Sequence, residues 1–224
     1  MPTVPPPLTE ATLERAVCEL AARDPDLGAI VERFGSPPMW DRPAGFPTLA
    51  RIVLEQQVSL ASAQAAFGRL RAAADPLTPD RFLELDDPQL LAIGFSRQKA
   101  GYVRNLARAI TSGKLDLVNL ALLTDEDASQ ALAALPGIGP WTASIYLLMA
   151  ERRPDVWPAS DLALVAAVAH VKGLDRRPSL DEMRALATQW RPWRSVAARL
   201  LWHDYLCRRR RNATRPERAG GALA

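Results

Sequence analysis

The chain is poor in the residues that build metal centres and covalent frameworks. Its 224 residues include two cysteines, Cys18 and Cys207, and two histidines, His170 and His203. Cysteines that far apart supply neither a CxxC metal site nor a disulfide framework, and packing or surface roles are expected for all four residues. Lysine is scarce as well, with only Lys99, Lys114 and Lys172. No run approaches the roughly 20 apolar residues that cross a bilayer. The opening Met1-Pro2-Thr3-Val4-Pro5-Pro6-Pro7 has neither the basic region nor the apolar run of a signal peptide. A cytoplasmic protein without a membrane partner is expected.

What the chain does contain is ordinary for a globular protein: 48% hydrophobic and 24% charged residues, with room for one or two domains. The net charge of +3 is unevenly spread. Residues 151–224 carry 15 Lys/Arg against 8 Asp/Glu, whereas residues 1–150 carry 13 against 17. The basic excess includes the run Arg208-Arg209-Arg210-Arg211, which suits a polyanion as well as a solvated chain end.

Apolar periodicity predicts helices throughout and no strands. The expected helices span 9–23, 26–34, 46–59, 60–74, 80–85, 88–93, 97–111, 125–134, 140–150, 161–171, 179–189 and 193–209. Residues 212–224 are expected to form a disordered tail. On the last helix Trp193, Val196, Ala197 and Leu200 make an apolar stripe, and Trp202 lies about 180° from Trp193. That spacing turns Trp202 away from the stripe, toward a cleft.

The most informative stretch is Leu135-Pro136-Gly137-Ile138-Gly139-Pro140-Trp141-Thr142-Ala143. One helix ends before it and another begins at Pro140, a residue suited to the first helical position. Glycines permit unusual turn conformations and close backbone approach. Amide groups at the start of the second helix can meet a phosphate. The bland alternative is a tight connection between two helices. Further on, Asp161 follows Trp157-Pro158-Ala159-Ser160. Taken alone, it reads as the N-cap of the helix it opens.

Together, a glycine-rich hairpin, a helix and an aspartate after a proline-containing loop resemble the helix-hairpin-helix DNA glycosylase superfamily. The pattern is most similar to its DNA-3-methyladenine glycosylase II (AlkA-like) branch. Three further segments carry the likeness: Phe46 to Ser59 with Glu55-Gln56-Gln57-Val58-Ser59, Gly94-Phe95-Ser96-Arg97-Gln98-Lys99-Ala100, and Trp190-Arg191-Pro192-Trp193-Arg194-Ser195 with Trp202 beyond. The residues ahead of Phe46 look helical, which implies the short form without an N-terminal sheet domain.

The resemblance implies an all-α fold of two helical lobes with the active site in the cleft between them. One lobe would be 45–152, with the helix-hairpin-helix motif, and the other 1–44 plus 153–211. It implies a monomeric, nucleoid-associated enzyme of base excision repair. That enzyme flips an alkylated base out of double-stranded DNA and hydrolyses its N-glycosidic bond. By position, Asp161 is the catalytic carboxylate, Trp141 and Trp202 line the base pocket, and Gln57 is the wedge into the vacated stack. Gly137, Ile138, Gly139, Trp141 and Thr142 form the phosphate-binding hairpin. The carbonyls of Ala133, Leu135 and Ile138 would hold a structural sodium or potassium ion, with no other cofactor required. An iron–sulfur cluster needs four cysteines, which this chain lacks.

Where bifunctional relatives carry a lysine, this chain has Trp141. Where longer relatives place pocket aromatics, it has Ile145 and Leu162. Two alternatives stay open at this point: a non-enzymatic helix-hairpin-helix DNA-binding module, and a bifunctional glycosylase/lyase for oxidised bases.

Overall fold

The computed structural model describes residues 4–214, and among them every regular element is helical. Thirteen α-helices and one 3-10 turn follow in order. They are α1 (Glu10–Arg23), α2 (Pro25–Phe34), α3 (Phe46–Glu55), α4 (Leu60–Ala73), α5 (Pro79–Leu83), α6 (Asp87–Ile93) and α7 (Arg97–Thr111). Then come α8 (Leu117–Leu120), α9 (Asp125–Ala133), α10 (Pro140–Met149), α11 (Leu162–Val171), α12 (Leu180–Ala187), the 3-10 turn Thr188–Trp190 and α13 (Arg194–Thr214). Many boundaries are set by Ser, Thr or Asp side chains that accept a backbone N–H of the first turn, as at Ser59, Thr78, Asp86, Ser96, Thr124 and Ser179. The chain has no helix long and apolar enough to cross a membrane among the described residues.

The chain divides into two compact units. The first holds the chain up to Thr9 and Met39–Pro158, the second Glu10–Pro38 and the chain from Ala159 onward. This moves residues 4–9, 39–44 and 153–158 out of the lobe to which the sequence reading assigned them. Backbone pairing explains the shift: the Leu8 N–H donates to the Arg152 carbonyl at 2.8 Å, and the Arg42 N–H to that of Met149 at 3.0 Å. Of the expected tail, 212–214 continue α13; the remainder lies outside the described residues.

In the first unit α3 packs against α7 and α10. Leu49, Ile52 and Val53 of α3 meet a core that includes Val103, Leu106, Ala143 and Leu147, all fully buried. Phe46, Phe82 and Phe95 extend it as an edge-to-face chain with ring centroids 5.8 and 5.7 Å apart. Short α8 was not foreseen, since four residues carry no helical period; Asp116 caps it by accepting the N–H groups of Val118 and Asn119.

In the second unit α13 is the central helix, packed against α1, α2 and α11. Residues 195–202 are buried without interruption, so α13 has no open face there. Trp202 is buried with the rest, 8% exposed, because α13 is packed on several sides. A single buried stripe holds for a helix on the surface of a core, not for one surrounded by it.

A buried carboxylate ties this unit together. Asp24 caps α2 through the Asp26 N–H at 3.1 Å. It also accepts the Lys172 ammonium on both oxygens at 2.8 Å and the Trp190 indole N–H at 2.8 Å. Burial alone would raise the Asp24 pKa, but the hydrogen bonds from Lys172 and Trp190 and the lysine charge outweigh it and hold the carboxyl below its ordinary value. A depressed native pKa contributes stability above the unfolded-state value and loses it as pH falls through the native one. Asp24→Asn should therefore cost about 3 kcal/mol at neutral pH, because it leaves Lys172 poorly compensated. The gap in urea midpoint between the two proteins should narrow below the ordinary carboxylate range.

Candidate active site

The candidate residues stand at helix ends. α3 was expected to run to Ser59, yet it stops at Glu55. Gln56 is extended and Gln57 adopts the left-handed conformation with φ 55°, which costs a non-glycine residue about 1 kcal/mol or more. Two side chains hold this turn. Lys99 Nζ donates to the carbonyls of Leu54 at 2.8 Å and Gln56 at 2.7 Å, placing a cation on the negative end of α3. Partial burial lowers the pKa of that ammonium. Gln56 Nε2 donates to the Gly137 carbonyl and to Thr142 Oγ1, both at 2.9 Å. Gln57 itself is exposed, as is its neighbour Val58.

The hairpin between α9 and α10 is a sequence of tight turns. The Leu135 N–H donates to Leu132 and the Ile138 N–H to Leu135, each at 3.1 Å. Leu135 and Ile138 point their side chains into the core. Gly139 is the N-cap of α10, brings no side-chain cap, and is followed by Pro140 at the first helical position. Thr142 is buried and Trp141 half-buried. The two glycines differ in role. Gly137 has φ 86°, and a Cβ there would sit 2.0 Å from Cγ of Tyr102; the close approach at this position is by an aromatic ring of α7. Gly139 has φ −85°, and a Cβ would meet nothing within 4 Å.

Of the carbonyls expected to hold an ion, that of Ala133 ends α9, where carbonyls lack helical partners, and those of Leu135 and Ile138 lie in the turn before Gly139. Leu135 accepts the Ile138 N–H, and a carbonyl has a second lone pair. No group of three or more His, Cys, Asp or Glu side chains suited to a metal ion occurs among the described residues.

Asp161 is the N-cap of α11, accepting the Leu164 N–H on Oδ1 at 2.8 Å. The same oxygen accepts the Trp202 indole N–H at 3.0 Å. The capping reading of Asp161 is thus correct as structure, and the carboxylate is oriented from a second direction by α13. Ile145 is buried, while Leu162, beside Asp161, is 76% exposed. The second unit therefore brings Asp161 and Trp202 together, and the first unit joins the turn that carries Gln57 to the hairpin and Thr142 through the Gln56 contacts. A surface groove lined by Leu174, Pro178, Ala185 and Leu186 contains none of these residues.

Three contributors went unrecognised in the sequence: Gln56, Lys99 and Tyr102. The first two lie inside segments singled out as informative, Glu55–Ser59 and Gly94–Ala100. Their polar character beside apolar helix positions was the available signal. Nothing in the sequence pairs Tyr102 with Gly137. Gly137→Ala should cost about 3 kcal/mol of stability through left-handed strain and the clash with Tyr102. Gly139→Val should fold, since its conformation is ordinary and its surroundings open. If the hairpin holds a phosphate, the Gly139 variant should lose affinity equally for damaged and undamaged duplexes, measured by fluorescence anisotropy, because phosphate contacts carry no base information.

Comparison with known proteins gives this geometry a setting. A family model described as the HhH-GPD superfamily base excision DNA repair protein matches residues 50–192. A putative DNA-3-methyladenine glycosylase, YfjP, of Bacillus subtilis is 31% identical over 186 residues, covering 80% of this chain and 65% of its own length. A probable bifunctional transcriptional activator/DNA repair enzyme AlkA of Mycobacterium tuberculosis is 33% identical over 204 residues, covering 84% of this chain and 39% of its own length. Among solved structures, the Schizosaccharomyces pombe 3-methyladenine DNA glycosylase Mag1 in complex with abasic DNA superposes with a TM-score of 0.79. It is 26% identical and covers 84% of this chain and 95% of that one. The chain thus spans 65% of the length of the Bacillus relative.

Proposed function

The chain belongs to the HhH-GPD superfamily of base excision DNA repair proteins, and from that membership we propose that it is a monofunctional DNA glycosylase acting on alkylated bases of the 3-methyladenine and 7-methylguanine type. The observation that carries this reading is the doubly held carboxylate: Asp161 Oδ1 accepts both the α11 N–H of Leu164 and the Trp202 indole N–H. A carboxylate fixed from two directions is organised before substrate arrives, which is what electrostatic stabilisation of a transition state requires.

The chemistry suits a single acid residue. A target base inside a duplex is out of reach, so it must be extruded at a cost of a few kcal/mol. A purine alkylated at N3 or N7 is cationic. When its C1′–N bond breaks, the electron pair stays on the base, which leaves neutral and needs little protonation. The sugar left behind is oxocarbenium-like, and Asp161 stabilises that positive charge. Water then adds its oxygen to C1′ and yields its proton to Asp161 or to solvent, leaving an abasic site in an intact strand.

A cationic base is attracted to an indole face, an interaction worth about 0.5–2 kcal/mol; half-buried Trp141 and buried Trp202, whose N–H is held by Asp161, are the candidate pocket residues. Gln57, exposed on its left-handed turn, fills the gap left by the base. The hairpin from Gly137 to Thr142 holds a backbone phosphate through the start of α10. The carbonyls of Ala133, Leu135 and Ile138 would hold a monovalent cation, which supplies positive charge beside that phosphate. The hydrolysis itself calls for no further cofactor.

Two experiments test the proposal. Asp161→Asn keeps shape and capping ability but not the negative charge. It should reduce release of 3-methyladenine from methylated DNA by at least about a hundredfold, with the melting temperature and DNA affinity nearly unchanged. Near-normal release by this variant would remove Asp161 from the chemistry. For reaction type, borohydride should trap no covalent enzyme–DNA adduct, and strands should stay intact until treated with base. The hairpin has Trp141 in place of an amine, so no Schiff base can form there. An adduct would reassign the protein to glycosylase/lyase chemistry.

A further inference from the structure

The turn that carries Gln57 and the hairpin that meets DNA phosphate are joined by one side chain. Gln56 Nε2 donates at 2.9 Å to the Gly137 carbonyl, inside the hairpin, and at 2.9 Å to Thr142 Oγ1, in the first turn of α10. Its own carbonyl accepts Lys99 Nζ at 2.7 Å. Gln56 is therefore held at both its backbone and its side chain. The next residue, Gln57, leaves the held segment in a left-handed conformation and is exposed. A strained conformation on an exposed residue persists only when its surroundings fix it. Here the fixing contacts run to the hairpin and to α7.

We propose that Gln56 is a positioning residue that sets the distance between the captured phosphate and the wedge, so that phosphate binding and base extrusion act as one rigid element. The proposal rests on the wedge reading of Gln57. The contacts within the first unit carry it: the donor is the C-cap of α3, and the two acceptors belong to the hairpin and α10. A duplex has a fixed spacing between a phosphate and the neighbouring base step. A wedge tied to the phosphate site therefore enters at one step and not at the next. Without the tie the turn can relax out of the left-handed region, and the wedge loses its register while the pocket stays intact. Lys99 limits this relaxation at the α3 end only.

The test is single-turnover release of 3-methyladenine from dimethyl-sulfate-treated oligonucleotides, offered as duplex and as single strand. Gln56→Met keeps side-chain length and removes the amide donor. It should slow release from duplex roughly tenfold, on the scale of one or two lost hydrogen bonds, and change release from the single strand less than about twofold. Gln57→Ala should show the same asymmetry. In the double variant the two duplex losses should not multiply, because each removes the same positioned wedge.

If Gln56→Met fails to fold, Gln56→Glu carries the test, since it keeps length and shape and removes the amide donor, and a duplex-specific loss of about tenfold is again expected. If Gln57→Ala slows duplex and single strand alike, the wedge reading fails, and the coupling falls with it. If Gln57→Ala behaves as expected but Gln56→Met matches the parent protein, or its loss multiplies fully with that of Gln57→Ala, the coupling is overturned and the wedge stands. Equal losses from Gln56→Met on the two substrates would mark Gln56 as a purely structural residue.

Discussion

A helix leaves four backbone N–H groups at its start and four carbonyls at its end without partners in the helix, and each must be met by something else. In this protein the groups that meet them are also the groups with chemical interest. Lys99 covers carbonyls at the end of α3, and the wedge candidate Gln57 follows. α10 begins at Gly139 without a side-chain cap, and the phosphate-binding candidates run from Gly137 in the turn to Thr142 in the first turn of that helix. α11 begins on Asp161, which is at once its cap and the candidate catalytic carboxylate. The need to terminate helices thus places the candidate residues within each unit, and the interiors of those helices serve the core.

This economy explains what was legible beforehand. Periodic, well-capped helices could be read directly: α7 was expected over 97–111 and is found as Arg97–Thr111. The hairpin and Asp161 were equally plain, since glycine, proline and aspartate mark turns and helix starts through conformational preferences. The fold class followed from the same signals. The end of α3 was not legible. Its apolar period continues past Glu55, and the residues that stop it, Lys99 and the hairpin, are distant in sequence. The all-round burial of α13 was not legible for a related reason. A wheel drawn for α13 assumes one buried face, whereas Ser195 to Trp202 are buried all round. Tertiary context decided both cases.

Scarcity of lysine acquires meaning in the structure. Lys99 is engaged with two carbonyls, and Lys172 with Asp24 and Asp26. Each stabilises a helix end or a buried carboxylate, the strongly hydrated ammonium serving as a compact point charge. Arginine takes up the remaining positive charge. Some arginines are structural too: Arg153, almost fully buried, pairs with Asp125 and donates to the carbonyls of Leu120 and Ala121.

The capping role of Asp161 bears on how this position can change over time. Residues kept only for chemistry often burden the fold, so their loss is rewarded by added stability and must be opposed by selection on activity. Here the oxygen that accepts the Trp202 indole also closes the first turn of α11. An apolar replacement would forfeit a helix cap, worth about 1 kcal/mol, and leave a buried indole N–H without its acceptor. Drift at this position is thereby discouraged by folding alone, independently of any demand that chemistry places on the carboxylate.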